Sequence, residues 1–128
     1  MSGADAQQLL NGGWRSLAFA PFRPGVEMCR LLDGGENAAS VAVLRYAAGA
    51  SIPRHLHQGL ETVLVLEGSQ SDEGGRYRSG AIVFNAAGTE HSVWSEDGCV
   101  VLIQWERPVL ILKEDGFEQE AERPDARA

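Results

Sequence analysis

From Glu61 to Glu67 the chain places Val63 and Val65 on one alternate set and Thr62, Leu64 and Leu66 on the other. Side chains of an extended strand alternate between faces, so this strand turns no water-seeking face to solvent and needs cover on both. One face can line a barrel. A second layer of the same chain covers the other in a sandwich, and a partner subunit adds to it, so a homodimer is expected.

The rest of the chain repeats the β signal. Val26 to Leu32 and Ser40 to Tyr46 read as strands joined through Asp33-Gly34-Gly35-Glu36-Asn37, a run whose composition favours a hairpin. Ser69 to Asp72 continues beyond Gly68 to a turn at Glu73-Gly74-Gly75. Ala81 to Asn85, His91 to Ser95, Cys99 to Glu106 and Val109 to Leu112 follow, with turns at Gly88 and Asp97-Gly98. The chain has 128 residues, enough for one all-β domain. Residues 1–23 read as a lead-in with a short helix after Asp5, residues 24–112 as the barrel, and residues 113–128 as an acidic extension. In that extension Asp115 and Glu118 stand at capping-box spacing, and Phe117 to Arg123 before Pro124 favour a short helix over a solvated tail.

Eighteen acidic residues against eleven basic ones leave a formal net charge of −7. Such a chain offers no basic footprint for nucleic acid and no cationic stripe for an anionic membrane. With no signal-like N-terminus and no long apolar run, a soluble cytoplasmic protein is expected. Cys29 and Cys99 belong to no Cys-x-x-Cys pair and read as two small thiols in a reducing compartment.

His55 and His57 are two apart, so in an extended segment both imidazoles project from one face and can share one ion. After the tight connection Gln58-Gly59-Leu60, Glu61 can return a carboxylate toward the same point, and a barrel can bring His91 opposite. All three histidines of the chain thus join one carboxylate in one pattern. Glu90 is turned away from that point by alternation. Arg30, Arg45, Tyr46 and Gln104 lie on strands where a pocket-lining role and an outward one stay equally open. Trp94 reads as packing, and no catalytic residue is assigned. No Ser-His-Asp arrangement can be built, because every histidine is taken.

The wider spacing runs Gly49, His55, His57, Glu61, Gly68, then Gly80, Gly88 and His91. These two segments resemble the paired motifs of the cupin superfamily, with Ala86 where that pattern usually has proline and Ser95 where it often has asparagine. The resemblance implies a double-stranded β-helix, or jelly-roll barrel, holding one divalent ion with His55, His57, Glu61 and His91. The run from His55 to Gly68, with Ser71-Asp72-Glu73 and Tyr77, is similar to the C-terminal cupin domain of ChrR-type zinc-binding anti-sigma factors. That likeness favours zinc over iron, manganese or nickel. In those proteins a separate N-terminal helical domain grips the sigma factor; no such segment stands in this chain, so a sigma-factor partner is not expected.

The implied function is a stand-alone metal-binding module that senses a small ligand or a stress. The alternative is a metal-dependent dioxygenase or isomerase acting on a small oxygenated substrate near the ion. A third reading makes the ion a structural staple.

Overall fold

A computed structural model describes residues 9–10, 12–113 and 116–122, with Lys113 and residues 116–122 as strand path alone. After a 3-10 turn at Gly13–Ser16 come β1 (Ala20–Arg23), β2 (Val26–Leu32), β3 (Ser40–Tyr46), β4 (Ser51–Leu56) and β5 (Glu61–Asp72). β6 (Gly75–Arg78), β7 (Ile82–Asn85), β8 (Glu90–Trp94), β9 (Cys99–Trp105), β10 (Val109–Lys113) and β11 (Gly116–Glu122) follow. Every pairing among the described residues is antiparallel.

The sheet curls into two leaves that share β5. Residues 61–68 of β5 pair with β9, and residues 61–64 also pair with β7. From Ser69 onward the same strand pairs with β6, and at Ser71 and Asp72 with β8. One leaf therefore runs β1-β2-β3-β9-β5-β7, and the other runs from β5 through β8 and β4 to β10 and β11. The strand changes leaf at Gly68, whose φ is 75°. A Cβ there would also run into the Gly98 carbonyl and the Cα of Cys99, so conformation and space both demand glycine.

Both faces of β5 find the cover they need. Inward, Val63 and Val65 pack with Val26, Leu44, Tyr46, Val101, Ile103 and Trp105 of their own leaf and with Ile52, Val93 and Val109 of the other. Outward, Leu66 packs with Leu102, Val43 and Val100 beneath Trp14, Leu17 and Phe19 of the lead-in. The chain's own N-terminal segment thus supplies part of the second cover that the apolar pattern assigned to a further layer or a partner. Ile82 and Phe84 on the edge strand β7 stay 55% and 63% exposed.

Two expectations need correction. The lead-in is not outside the sheet: β1 pairs with β2 through Ala20↔Met28 and Pro21↔Glu27. Pro21 is tolerated because β1 is an edge strand and needs no further donor. The C-terminal helix expected from Phe117 is instead β11, which pairs with the edge of β10 from Lys113↔Gly116 to Val109↔Glu122. Backbone groups on that edge gain partners, which outweighs the modest helix propensity of the segment. The expected helix after Asp5 falls largely outside the described residues; Leu9 and Leu10 are not helical.

Gly68→Ala should lower unfolding stability by about 2 kcal/mol or more, from strain at positive φ and the clash with Gly98. Chemical denaturation checks this, and an unchanged midpoint would show that the crossover tolerates a side chain.

Candidate metal centre

The site lies where β4 ends and β5 begins. In the β4–β8 ladder, Ile52 pairs with Val93 and His55 with His91, so β4 has one extra residue across that interval. This bulge lets Ile52 and His55 both face inward although two residues, Pro53 and Arg54, separate them on the exposed side. His57 lies just past β4. Its backbone N–H donates to the Thr89 carbonyl at 2.9 Å, and its carbonyl accepts from the Gly88 N–H at 2.8 Å. Glu61 is the first residue of β5 and His91 the second of β8.

These placements bring His55, His57, Glu61 and His91 together. One potential ligand atom from each lies within 4.8 Å of all the others, and all four residues are buried. The imidazole centroids form a triangle with sides of 5.0, 4.7 and 4.7 Å.

Each ring is held from behind. His55 Nδ1 meets the Pro53 carbonyl at 2.8 Å, His57 Nδ1 meets the Thr89 carbonyl and hydroxyl at 3.0 Å each, and His91 Nδ1 meets Asp72 Oδ2 at 3.0 Å. A carbonyl or carboxylate at Nδ1 fixes the proton there and leaves Nε2 as the free lone pair. The Nε2 atoms of His57 and His91 are buried with no hydrogen-bond partner, that of His57 lying 3.3 Å from Glu61 Oε1 without a hydrogen bond. Each such atom costs roughly 1–3 kcal/mol if left unmatched, and a shared cation would satisfy both. Three imidazole nitrogens and a carboxylate oxygen suit zinc, iron, manganese or nickel, so the residues present fit a divalent ion.

The electrostatics agree with that donor set. Burial pushes His55 down to about 4, although the Pro53 carbonyl and Glu61 act in the other direction; the ring is neutral at neutral pH. Burial alone raises the Glu61 carboxyl, but His57, then His55 and His91, hold it below the ordinary carboxylate range. Asn85 Nδ2 donates to Glu61 Oε1 at 2.9 Å. Burial likewise raises Asp72, and the contacts from His91, the Gly74 N–H and the Tyr77 hydroxyl outweigh it and lower the group.

Of the other residues named from sequence, Tyr46 faces inward and Arg45 outward, where it pairs with Glu27 and lies 4.1 Å over the Phe19 ring. Glu90 turns away and pairs with Arg54 at 3.2 Å. Sequence reasoning gave no role to Asp72, Asn85 or Thr89, which orient three of the four candidate ligands. The signal for Asp72 lay in the run Ser71-Asp72-Glu73 with Tyr77, since the Tyr77 hydroxyl donates to Asp72 at 3.0 Å.

A family described as the ChrR cupin-like domain matches residues 12–107. The anti-sigma-E factor ChrR of Cereibacter sphaeroides is 35% identical over 98 residues, spanning 75% of this chain and 43% of that protein. The chain thus covers less than half of that relative's length. The Rhodobacter sphaeroides complex of SigE with the anti-sigma ChrR superposes with a TM-score of 0.64 at 31% identity, covering 71% of this chain and 50% of that one. An acetylacetone dioxygenase from Acinetobacter johnsonii superposes with a TM-score of 0.75 at 17% identity, over 80% of this chain and 77% of its own, a likeness of fold alone.

In metal-free protein, stability should fall with acid from about pH 6.5 toward pH 4. The folded pKa of His55 is depressed from 6.5 to about 4, so its contribution is whole above 6.5 and is lost as the pH falls through that window. Denaturation midpoints at several pH values should show a shallower slope in His55→Gln; an equal slope in both proteins would reject this origin.

Proposed function

The chain belongs to the ChrR cupin-like family, and we propose from that premise that it is a metal-binding regulatory module sensing a small ligand or a stress, with His55, His57, Glu61 and His91 as ligands. The observation that carries this reading is the convergence of two unpartnered Nε2 atoms, of His57 and His91, on one buried point with His55 and Glu61 beside them. Bound there, the ion would supply a positive centre and a cross-link between β4, β5 and β8. The residues around it do the rest: Pro53, Thr89 and Asp72 orient the imidazoles, and Asn85 holds the carboxylate.

Zinc is the proposed ion. Four protein ligands can close a tetrahedron around it, and the family's relatives named from sequence resemblance are zinc-binding. The alternative, an iron-dependent dioxygenase or an isomerase, is favoured by one observation: His55, Glu61 and His91 also line an interior cavity with room beside the ligands. Elemental analysis of protein purified without added metal separates the two. Zinc near one equivalent supports the module; iron with oxygen-dependent turnover overturns it in favour of the enzyme.

Cys29 and Cys99 stand as free thiols, which fits a cytoplasmic setting; no described helix is long and apolar enough to cross a membrane. The relative ChrR is seen in complex with SigE, so a sigma factor is the first partner to test by co-purification. A homodimer through β7 also belongs to this reading. Ile82 and Phe84 are exposed on an edge strand within an eleven-residue stretch, 79–89, that has no charge to repel a second copy. Light scattering should report twice the chain mass, and Phe84→Glu should give the monomer.

His57→Ala should lose most of its bound metal, since three ligands would remain around an open position. Asp72→Asn, which keeps the ligands but weakens the support of His91, should lose about 10- to 100-fold in metal affinity. Competition with a chelator measures both, and wild-type retention by His57→Ala would reject the site.

A further inference from the structure

His55, Glu61 and His91 border an interior cavity whose free volume is about 40 Å³. One water needs about 10–15 Å³ of such space, so the cavity holds about three water-sized bodies. An ion among the candidate ligands would fill part of it at most, which only lowers that number.

Much of the remaining wall is apolar. Leu44 of β3 and Ile103 of β9 reach it from one leaf, and Ile52 of β4 and Val93 of β8 from the other. All four are buried in the main core cluster. Side chains packed from two leaves at crystal-like density have little room to yield to a larger guest.

The cavity also has a sign. Imidazoles bind a metal only when neutral, so a divalent ion held by His55, His57, Glu61 and His91 keeps a net positive charge. Half-buried Arg23, which also lines the cavity, adds to it. In surroundings of low dielectric that charge attracts an anion more strongly than it would in water. A second cation is disfavoured, and a neutral molecule of the same size gains less.

We infer that the cavity admits to the ion an anion of at most about three heavy atoms, and that Leu44, Ile52, Val93 and Ile103 set this limit. This rests on the metal reading above and names the ligand class of that site. The ligand is selected by charge and by size, with the ion as its one strong anchor. Extended substrates that must lie inside the barrel beside the ion are excluded by the same wall.

The test loads the full chain with cobalt(II) and follows the visible absorption of the ion during titration. Formate and azide are the small anions. Formamide matches formate in heavy atoms but carries no charge, and 2,2-dimethylpropanoate keeps the carboxylate donor on a bulkier body. Formate or azide should bind roughly tenfold or more tightly than either counterpart, the factor that a clash with a packed wall readily imposes on the bulky acid. Ile103→Ala, which enlarges the cavity, should bring formate and 2,2-dimethylpropanoate to within about threefold. If that variant does not fold, Ile103→Val should narrow the gap between formate and acetate. Equal binding of formate and the bulky acid by the wild type, equal binding of formate and formamide, or a size preference unchanged in the Ile103 variant overturns the inference. An absorption spectrum that neither formate nor azide alters overturns it too, and leaves the metal reading standing. Failure to take up cobalt at all overturns the metal reading itself and the inference with it.

Discussion

The strand from Glu61 to Asp72 has to satisfy two leaves at once, and most of the molecule is arranged around that demand. Its apolar residues on both faces forbid an open sheet with one wet side. Its first half builds the leaf with β9 and β7, its second half the leaf with β6 and β8, and the change of leaf is possible only where Gly68 supplies a left-handed backbone next to Gly98. Closing the barrel in this way brings the end of β4 and the start of β8 to the first residue of β5. Glu61 is therefore positioned by the same strand whose middle residues form the core.

The cluster is costly as polar chemistry and inexpensive as geometry. Three imidazoles and a carboxylate inside an apolar barrel require compensation, and the backbone supplies much of it through the carbonyls of Pro53 and Thr89. The bulge in β4 serves His55 twice: it turns the side chain inward and brings the Pro53 carbonyl to Nδ1. His91 alone depends on a carboxylate behind it, and Asp72 in turn is held by Tyr77 and by Gly74 of the β5–β6 turn. The turn at Glu73-Gly74 thus contributes to the site although it touches no candidate ligand.

Much of this was legible in the residues. The limits of β2 and β3 coincide with the expected runs Val26 to Leu32 and Ser40 to Tyr46, because β-branched stretches bounded by glycine turns leave little freedom. His55 and His57 were readable as a pair from spacing, since a two-residue interval fixes a common face, while Glu61 and His91 joined them through the paired-motif resemblance; the structure brings the four together. What escaped is what depends on a third partner. β1 contains Pro21 and reads as part of a lead-in until β2 presents an edge to it; the segment from Phe117 reads as a short helix until β10 does the same. Asp72, Asn85 and Thr89 lie 19 to 32 positions from the residues they orient, and no local pattern announces such a contact. The need for a second cover on β5 was visible, but its source was not, because Trp14 lies outside any strand.

Burial links the two properties that make the site chemically useful. Taken alone, withdrawal from water keeps His55 unprotonated and ready to bind near neutral pH. The same withdrawal would raise Glu61, yet contacts with the three rings outweigh it and lower the group; Glu61 in turn works against the neutral form of His55, so it is chiefly burial that keeps that ring in its binding form. An ion placed among them would have only one negative charge to balance it, in surroundings that screen the remainder poorly. A centre of this kind is stable as a scaffold and unsatisfied as an electrostatic source. A buried staple would need only the first property; a site that binds an anion beside the ion draws on the second.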